Sequence, residues 1–245
     1  MKRATTCAGV LLCAALVVCG APRAQNSAPG VPDILNRYIN ALGGHDAIAK
    51  LTSRISKGAL EVSGMDGIGT AESYAKAPDK YCSIITFPGY GEAKQGYDGK
   101  IGWSKAPDTG IVEMTGQELG SEKRGSDFYL ALRIPDLYPK LTLKGQEEIG
   151  GFPAYVIEAD PGDGALRRMY FDLSSGLMVR SDEEHDSPDG RDVAQTFLSD
   201  YREVDGVKLP FAVRQTHGAT TFIVKLNDVR MNQPIDDSIF AKPAQ

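Results

Sequence analysis

The chain has 245 residues, with 27 Lys and Arg against 32 Asp and Glu, a formal charge of −5 with His neutral. An acidic chain without basic runs excludes nucleic acid as a partner and gives no attraction to anionic membrane surfaces. Its length fits one all-β domain, since such sheets commonly run to roughly 200–250 residues undivided.

The first residues read as a secretory signal peptide, 1–24. MKR supplies the positive start, TTCAGVLLCAALVVCGA is apolar and uncharged, and small residues suit cleavage near Ala24. The stretch is too short for a stable transmembrane span. Removing Lys2, Arg3 and Arg23 from the 27 basic residues leaves 24 against 32 acidic ones, a charge of −8 for the exported chain. Leu16-Val17-Val18-Cys19 stands where a bacterial lipoprotein box would stand, so a lipid anchor through Cys19 is the alternative to a free periplasmic chain. Val18 fits that box poorly, because the residue before the cysteine should be small. Cleavage would leave Cys82 as the sole thiol, in KYCSIITF, where it reads as a small buried apolar residue. An internal disulfide is then impossible.

After a linker, QNSAPG (25–30), a single domain occupies 31–245. VPDILNRYINALGG reads as a helix: Pro32 suits the first turn, Asp33 the positive end, and two glycines stop it. Ile34, Leu35, Tyr38, Ile39 and Leu42 form its apolar stripe, and 45–51 is a second short helix. From Ser53 onward the pattern is strand and tight turn. RISKGALEV, TAESYAK, KYCSIITF, AKQGY, IGWSK, IVEM, LTLKGQEEI, AYVIEA, LRRMYFDL, LMVRSDEE, VAQTFLSDYREV, VKLPFAVRQTH and TTFIVKLNDVR are separated by GMDG, APDK, FPGYG, YDGK, APDTG, DPGDG, SSG, SPDG and DG. Such spacing indicates an antiparallel meander, and no long crossover helix supports a parallel sheet. In VKLPFAVRQTH, Val207, Leu209, Phe211 and Val213 alternate with Lys208, Ala212, Arg214 and Thr216, so one strand face is apolar.

One interruption breaks the rhythm. In GSEKRGSDFYLALRIPDLYP (120–139), Phe128, Tyr129, Leu130, Leu132 and Ile134 make a segment around 126–134 that is apolar nearly all round and ended by Pro135. Such a helix must be buried, and the sheet is the only surface available. Three short helices are few for so broad a face. They either fill it or leave a lined cavity.

The stretch YDGKIGWSKAPDTGIVEM carries a DGK turn, with Asp98, Gly99 and Lys100, then a strand with Trp103, a Pro loop and another strand; 120–139 follows, and the chain ends NQPIDDSIFAKPA. In this order of parts the chain resembles the periplasmic outer-membrane lipoprotein carrier superfamily (LolA/LolB-like), along nearly all of its exported length. The resemblance implies a mostly β fold: a curved, incompletely closed antiparallel β-barrel, a half-barrel, whose short helices form a lid over an apolar cavity for acyl chains. It implies a non-enzymatic periplasmic monomer that binds an acyl lipid or lipoprotein. An envelope sensor or assembly module on the same fold, with a filled cavity and a protein partner, is the alternative. In such carriers an Arg before a Pro latches the lid; here KAP (76–78) has Ala77 at that place.

Candidate cavity residues are Phe87, Tyr97, Trp103, Phe128, Tyr129, Leu132, Phe211 and Phe222, each equally suited to an ordinary core. Ser73 and Lys76 have the SxxK spacing of penicillin-recognising enzymes, but they fall in a strand and no KTG follows. His45, His185 and His217 are scattered, without metal-ligand spacing. Asp182, Asp186, Asp189 and Asp192 crowd SDEEHDSPDGRD, where Gly190 permits a turn, but they lack the EF-hand order and read as a solvated loop. The sequence therefore assigns no catalytic residue, metal or cofactor.

Overall fold

The computed structural model of the protein describes residues 29–187 and 190–244, so the signal segment, Cys19 and Asp189 lie outside the described residues. Two helices come first, α1 (Val31–Leu42) and α2 (His45–Ala49). Strands β1 (Ser53–Val62), β2 (Gly69–Lys76), β3 (Lys80–Phe87), β4 (Gly91–Tyr97), β5 (Gly102–Ala106) and β6 (Gly110–Glu113) follow. Helices α3 (Gly116–Gly125) and α4 (Leu130–Leu137) lead to β7 (Lys140–Ile149), β8 (Phe152–Asp160), β9 (Arg167–Asp172), β10 (Met178–Ser187), β11 (Gly190–Val204), β12 (Val207–His217) and β13 (Thr220–Met231).

All thirteen strands lie in one antiparallel sheet, ordered β6-β5-β4-β3-β2-β1-β13-β12-β11-β10-β9-β8-β7. Two meanders, β1–β6 and β7–β13, are sewn together by the pairing of β1 with β13. Short turns make this order accessible: Asp205 and Gly206 both take positive φ (50° and 81°), the backbone that lets a two-residue turn join twisted strands. The edges β6 and β7 do not pair. The chain between them is α3 and α4, which carry it from one edge of the sheet to the other and make an open half-barrel with a helical cover.

That segment differs from the single helix expected at 126–134. Pro135 lies inside α4 and does not end it; the helix stops at Tyr138, whose N–H still reaches the Ile134 carbonyl at 3.0 Å. In so short a helix the missing proline donor removes only one hydrogen bond. Helix α3, GQELGSEKRG, lies ahead of 126–134 and has Leu119 as its one large apolar residue. It is held by charges matched to its dipole, Glu118 in the first turn and Lys123 and Arg124 in the last, and by the ion pair of Arg124 with Asp163.

Ile34, Leu35, Tyr38 and Leu42 of α1 and Ile134 of α4 pack on Ile157, Met169 and Phe171, with Tyr38 and Phe171 ring centroids 5.1 Å apart. The other wing, β1 to β5, is covered on its outer face by the C-terminal tail. There Ile235 and Phe240 pack on Cys82 and Trp103, with Ile55, Tyr74 and Ile84 around them. Among the described residues, no helix is long and apolar enough to cross a membrane.

Candidate functional site

Alternation along β1, β2 and β3 decides what faces inward. Ile55, Tyr74, Cys82 and Ile84 meet the tail, so Arg54, Ser56, Ala71, Ser73, Ala75, Tyr81, Ser83 and Ile85 look into the half-barrel. Two chambers open there. The first, about 250 Å³, lies under α1, α2 and α4 and is walled by Leu42, Ile48, Leu51, Ile134, Met169, Met178, Leu198 and Met231. The second, about 480 Å³, lies over β1–β3 and β12–β13 and is walled by Leu60, Ala71, Ile85, Leu209, Val213, Phe222 and Val224. Arg54, Tyr81, Leu209 and Pro210 line both, so the two are one hollow with a waist. A third chamber, about 480 Å³, continues from Gln95, Gln215 and Phe222 beneath α3, and its walls are polar, with Glu118, Glu122, Arg167, Glu183, His185 and His217.

Most charges on these walls are already matched. Asp127 pairs with Arg133 at 2.5 Å and accepts from the Tyr129 N–H, although burial still pushes its carboxyl upward. Arg167 donates to Ser181 at 2.7 Å and to the Tyr138 hydroxyl at 3.3 Å. Glu122 on α3 is buried enough to raise its pKa, even though Gln95 and Ser126 donate to it. Tyr201 donates to the Met178 carbonyl at 2.7 Å and burial raises its pKa strongly; Tyr38 is pushed up to about 12 by the same cause.

Of the eight residues expected to line the cavity, Phe128 stands on the wall of the first chamber and Phe222 on the wall shared by the second and third. Phe87 packs with Leu60, Ala71 and Phe222 at the end of the second chamber, one layer back. Tyr97 stands beside Tyr81 in the β3–β4 ladder, and Tyr129 and Leu132 pack into the core under α4. Trp103 is placed on the outer face, where its indole N–H donates to the Phe240 carbonyl. Phe211 is covered by the Arg202 guanidinium, 4.6 Å from its ring centroid; the facing residue Asp200 takes φ 52°, which interrupts the ladder and breaks the expected alternation. Arg54, Tyr81 and Ile85 carry no sequence signal for this role, whereas Leu209 and Val213 lie on the apolar strand face that alternation marks.

The latch position is a main-chain contact here. The Ala77 N–H donates to the Thr52 carbonyl and the Pro78 carbonyl accepts from the Phe128 N–H, each at 2.9 Å, so the β2–β3 turn holds the start of α4 without a side chain. Ser73 and Lys76 lie on opposite faces, with Ser73 in the hollow and Lys76 2.7 Å from Asp237 of the tail. They form no catalytic pair. Within SDEEHDSPDGRD, residues 181–187 and 190–192 are paired strand, β10 with β11, and not a loop. Asp182 is taken by Arg180 and Tyr170, and Asp192 lies 3.0 Å from His217. The His185 and His217 rings come within 6.1 Å, yet no group of three ligating side chains forms among the described residues.

Neither a protein-family model nor a curated protein matches the sequence. Solved structures do match in shape. A DUF1329 family protein from Desulfovibrio piger superposes with a TM-score of 0.60 at 15% identity, over 86% of this chain and 97% of that one. A LolA superfamily protein from Nitrosomonas europaea gives 0.57 at 14%, over 88% and 99%. An outer membrane lipoprotein-sorting protein domain from Vibrio parahaemolyticus gives 0.54 at 12%, over 78% and 90%. Identities this low speak to architecture alone: the chain has the LolA/LolB-like fold, an open antiparallel half-barrel covered by short helices.

Proposed function

We propose that the protein is a non-catalytic carrier in the periplasm that holds the acyl chain of a lipid, or of a lipid-modified protein, in the hollow of the half-barrel. The observation behind this reading is the pair of joined chambers, about 250 and 480 Å³, walled largely by aliphatic side chains, the first of them roofed by α1, α2 and α4. The second alone falls within the roughly 300–1,000 Å³ common for small-molecule sites. Each methylene withdrawn from water contributes about 0.8 kcal/mol, so ten of them supply about 8 kcal/mol before the cost of association. Exchange would need α4 and its Phe128 contact to lift from the β2–β3 turn. Two of the solved neighbours, named as a LolA superfamily protein and an outer membrane lipoprotein-sorting protein domain, agree with this reading. An interaction module with a filled core would have side chains where these chambers lie.

The test is titration with a fluorescent fatty acid such as cis-parinaric acid, alongside native mass spectrometry of gently purified protein. Saturable 1:1 binding and a co-purifying lipid mass are expected. Failure to bind acyl chains of any length would overturn the reading.

A further inference from the structure

The waist between the two apolar chambers carries a guanidinium. Arg54 lines both, and among the described residues none forms a hydrogen bond or ion pair with its guanidinium. Its neighbours across the ladder are Ala75 and then Tyr81, and withdrawal from water lowers its pKa. A partly buried cation with five unmatched N–H donors is costly to hold, and its fork suits a carboxylate or phosphate that it can grip with two parallel bonds. Beside it runs a second feature. Ser56 of β1, Ser73 of β2, Ser83 of β3 and Gln95 of β4 stand directly across from one another in the ladders and all face the second chamber. Cross-strand neighbours lie about 5 Å apart, so the three serines make a continuous stripe of hydroxyls next to Arg54, with aliphatic walls on both sides, while the Gln95 amide at its end is taken by Glu122. The other charges on the two chambers are committed to partners, Asp127 to Arg133, Glu72 to Lys57 and Arg167 to Ser181 and Tyr138, or are exposed, as Lys208 is.

We propose that Arg54, flanked by the Ser56–Ser73–Ser83 stripe, is the site that receives the oxyanion head group of the amphiphile, a carboxylate or a phosphate, with the acyl chain lying in the adjoining chambers. This rests on the carrier reading and adds to it a choice of ligand: a free or head-exposed anionic lipid is preferred over a neutral one of equal chain length. The net negative charge of the chain makes the preference informative, because bulk attraction would favour the opposite.

The test compares palmitate, 1-palmitoyl lysophosphatidic acid and 1-hexadecanol at pH 8 by displacement of a fluorescent probe, in the wild-type protein, Arg54→Met and Arg54→Lys. The wild type should bind at least one anion about tenfold more tightly than the alcohol, a difference of about 1.4 kcal/mol. Arg54→Met should abolish that preference with alcohol affinity kept within about twofold, and Arg54→Lys should retain part of it, since an ammonium keeps the charge but loses the fork. Whichever anion loses more on Arg54→Met identifies the head group as carboxylate or phosphate. Alcohol binding as tight as both anions in the wild type, or an anion preference that survives Arg54→Met, would overturn the assignment while leaving the carrier intact. If no probe binds any of the three proteins, the carrier reading falls and this one with it.

Discussion

The indole N–H of Trp103 donates to the main-chain carbonyl of Phe240 at 2.8 Å, and both side chains are fully buried. This contact ties the last turn of the chain to the outer face of β5. The Trp103 ring lies flat over Gly96, where a Cβ would come within 2.7 Å of the ring. Phe240→Ala should destabilise the protein by about 3–5 kcal/mol and shift Trp103 emission to the red in the folded state. Ligand titration should leave that emission unchanged, since the ring is on the other side of the sheet from the hollow. A large emission change on lipid binding would contradict this placement.

Cys82 packs under the same tail, and burial pushes its thiol up to about 11. The thiolate is the reactive form, so the native protein should resist alkylation by iodoacetamide at pH 8 and react fully once unfolded. Rapid labelling of the folded chain would show that the tail does not cover β3.

Glu122 offers a pH test of how α3 is docked. Burial raises its carboxyl pKa, hydrogen bonds from Gln95 and Ser126 oppose the rise, and Glu118 and Glu183 add to it. A carboxyl whose folded pKa is raised favours folding below its ordinary value near 4.5, and that contribution is lost as pH climbs through the folded value. Glu122→Gln should therefore raise Tm by about 2 °C or more at pH 7 and make no difference at pH 4. A stabilisation that persists undiminished at pH 4 would point to another cause.

Filling the hollow should separate binding from stability. Ile85 faces the second chamber beside Ala71, and Trp at that place takes up open space rather than displacing packed neighbours. Ile85→Trp should weaken fatty-acid binding about tenfold or more with Tm changed by only a few degrees, as thermal denaturation and probe titration would show together. Unchanged affinity would mean that the acyl chain lies elsewhere.

The thirteen strands were legible because turn chemistry and period-two patterning are local: DG and APDK punctuate runs that alternate or stay apolar, and each run became a strand. Helix α1 was legible for the same reason, its stripe of Ile34, Leu35, Tyr38 and Leu42 falling at helical spacing. Which of two apolar faces looks inward was not legible for β1–β5, because the tail covers the outer face, burying Cys82 and Trp103 fully and Ile55 and Tyr74 in part. Aromatic residues were therefore expected around the ligand, whereas the walls are largely aliphatic and the polar feature is Arg54.

By itself, then, the sequence determined an antiparallel meander of short strands with a helical interruption between β6 and β7, since each of those features depends on neighbours a few residues apart. Only the tertiary structure decided where the hollow lies and what stands at its waist. Pairing β1 with β13 joins segments some 170 residues apart, as in Arg54 opposite Met231, and the returning tail claims one face of the sheet. No local pattern encodes either contact. Burial of one face leaves the other to the cavity, and that choice turned Arg54 and three serines inward.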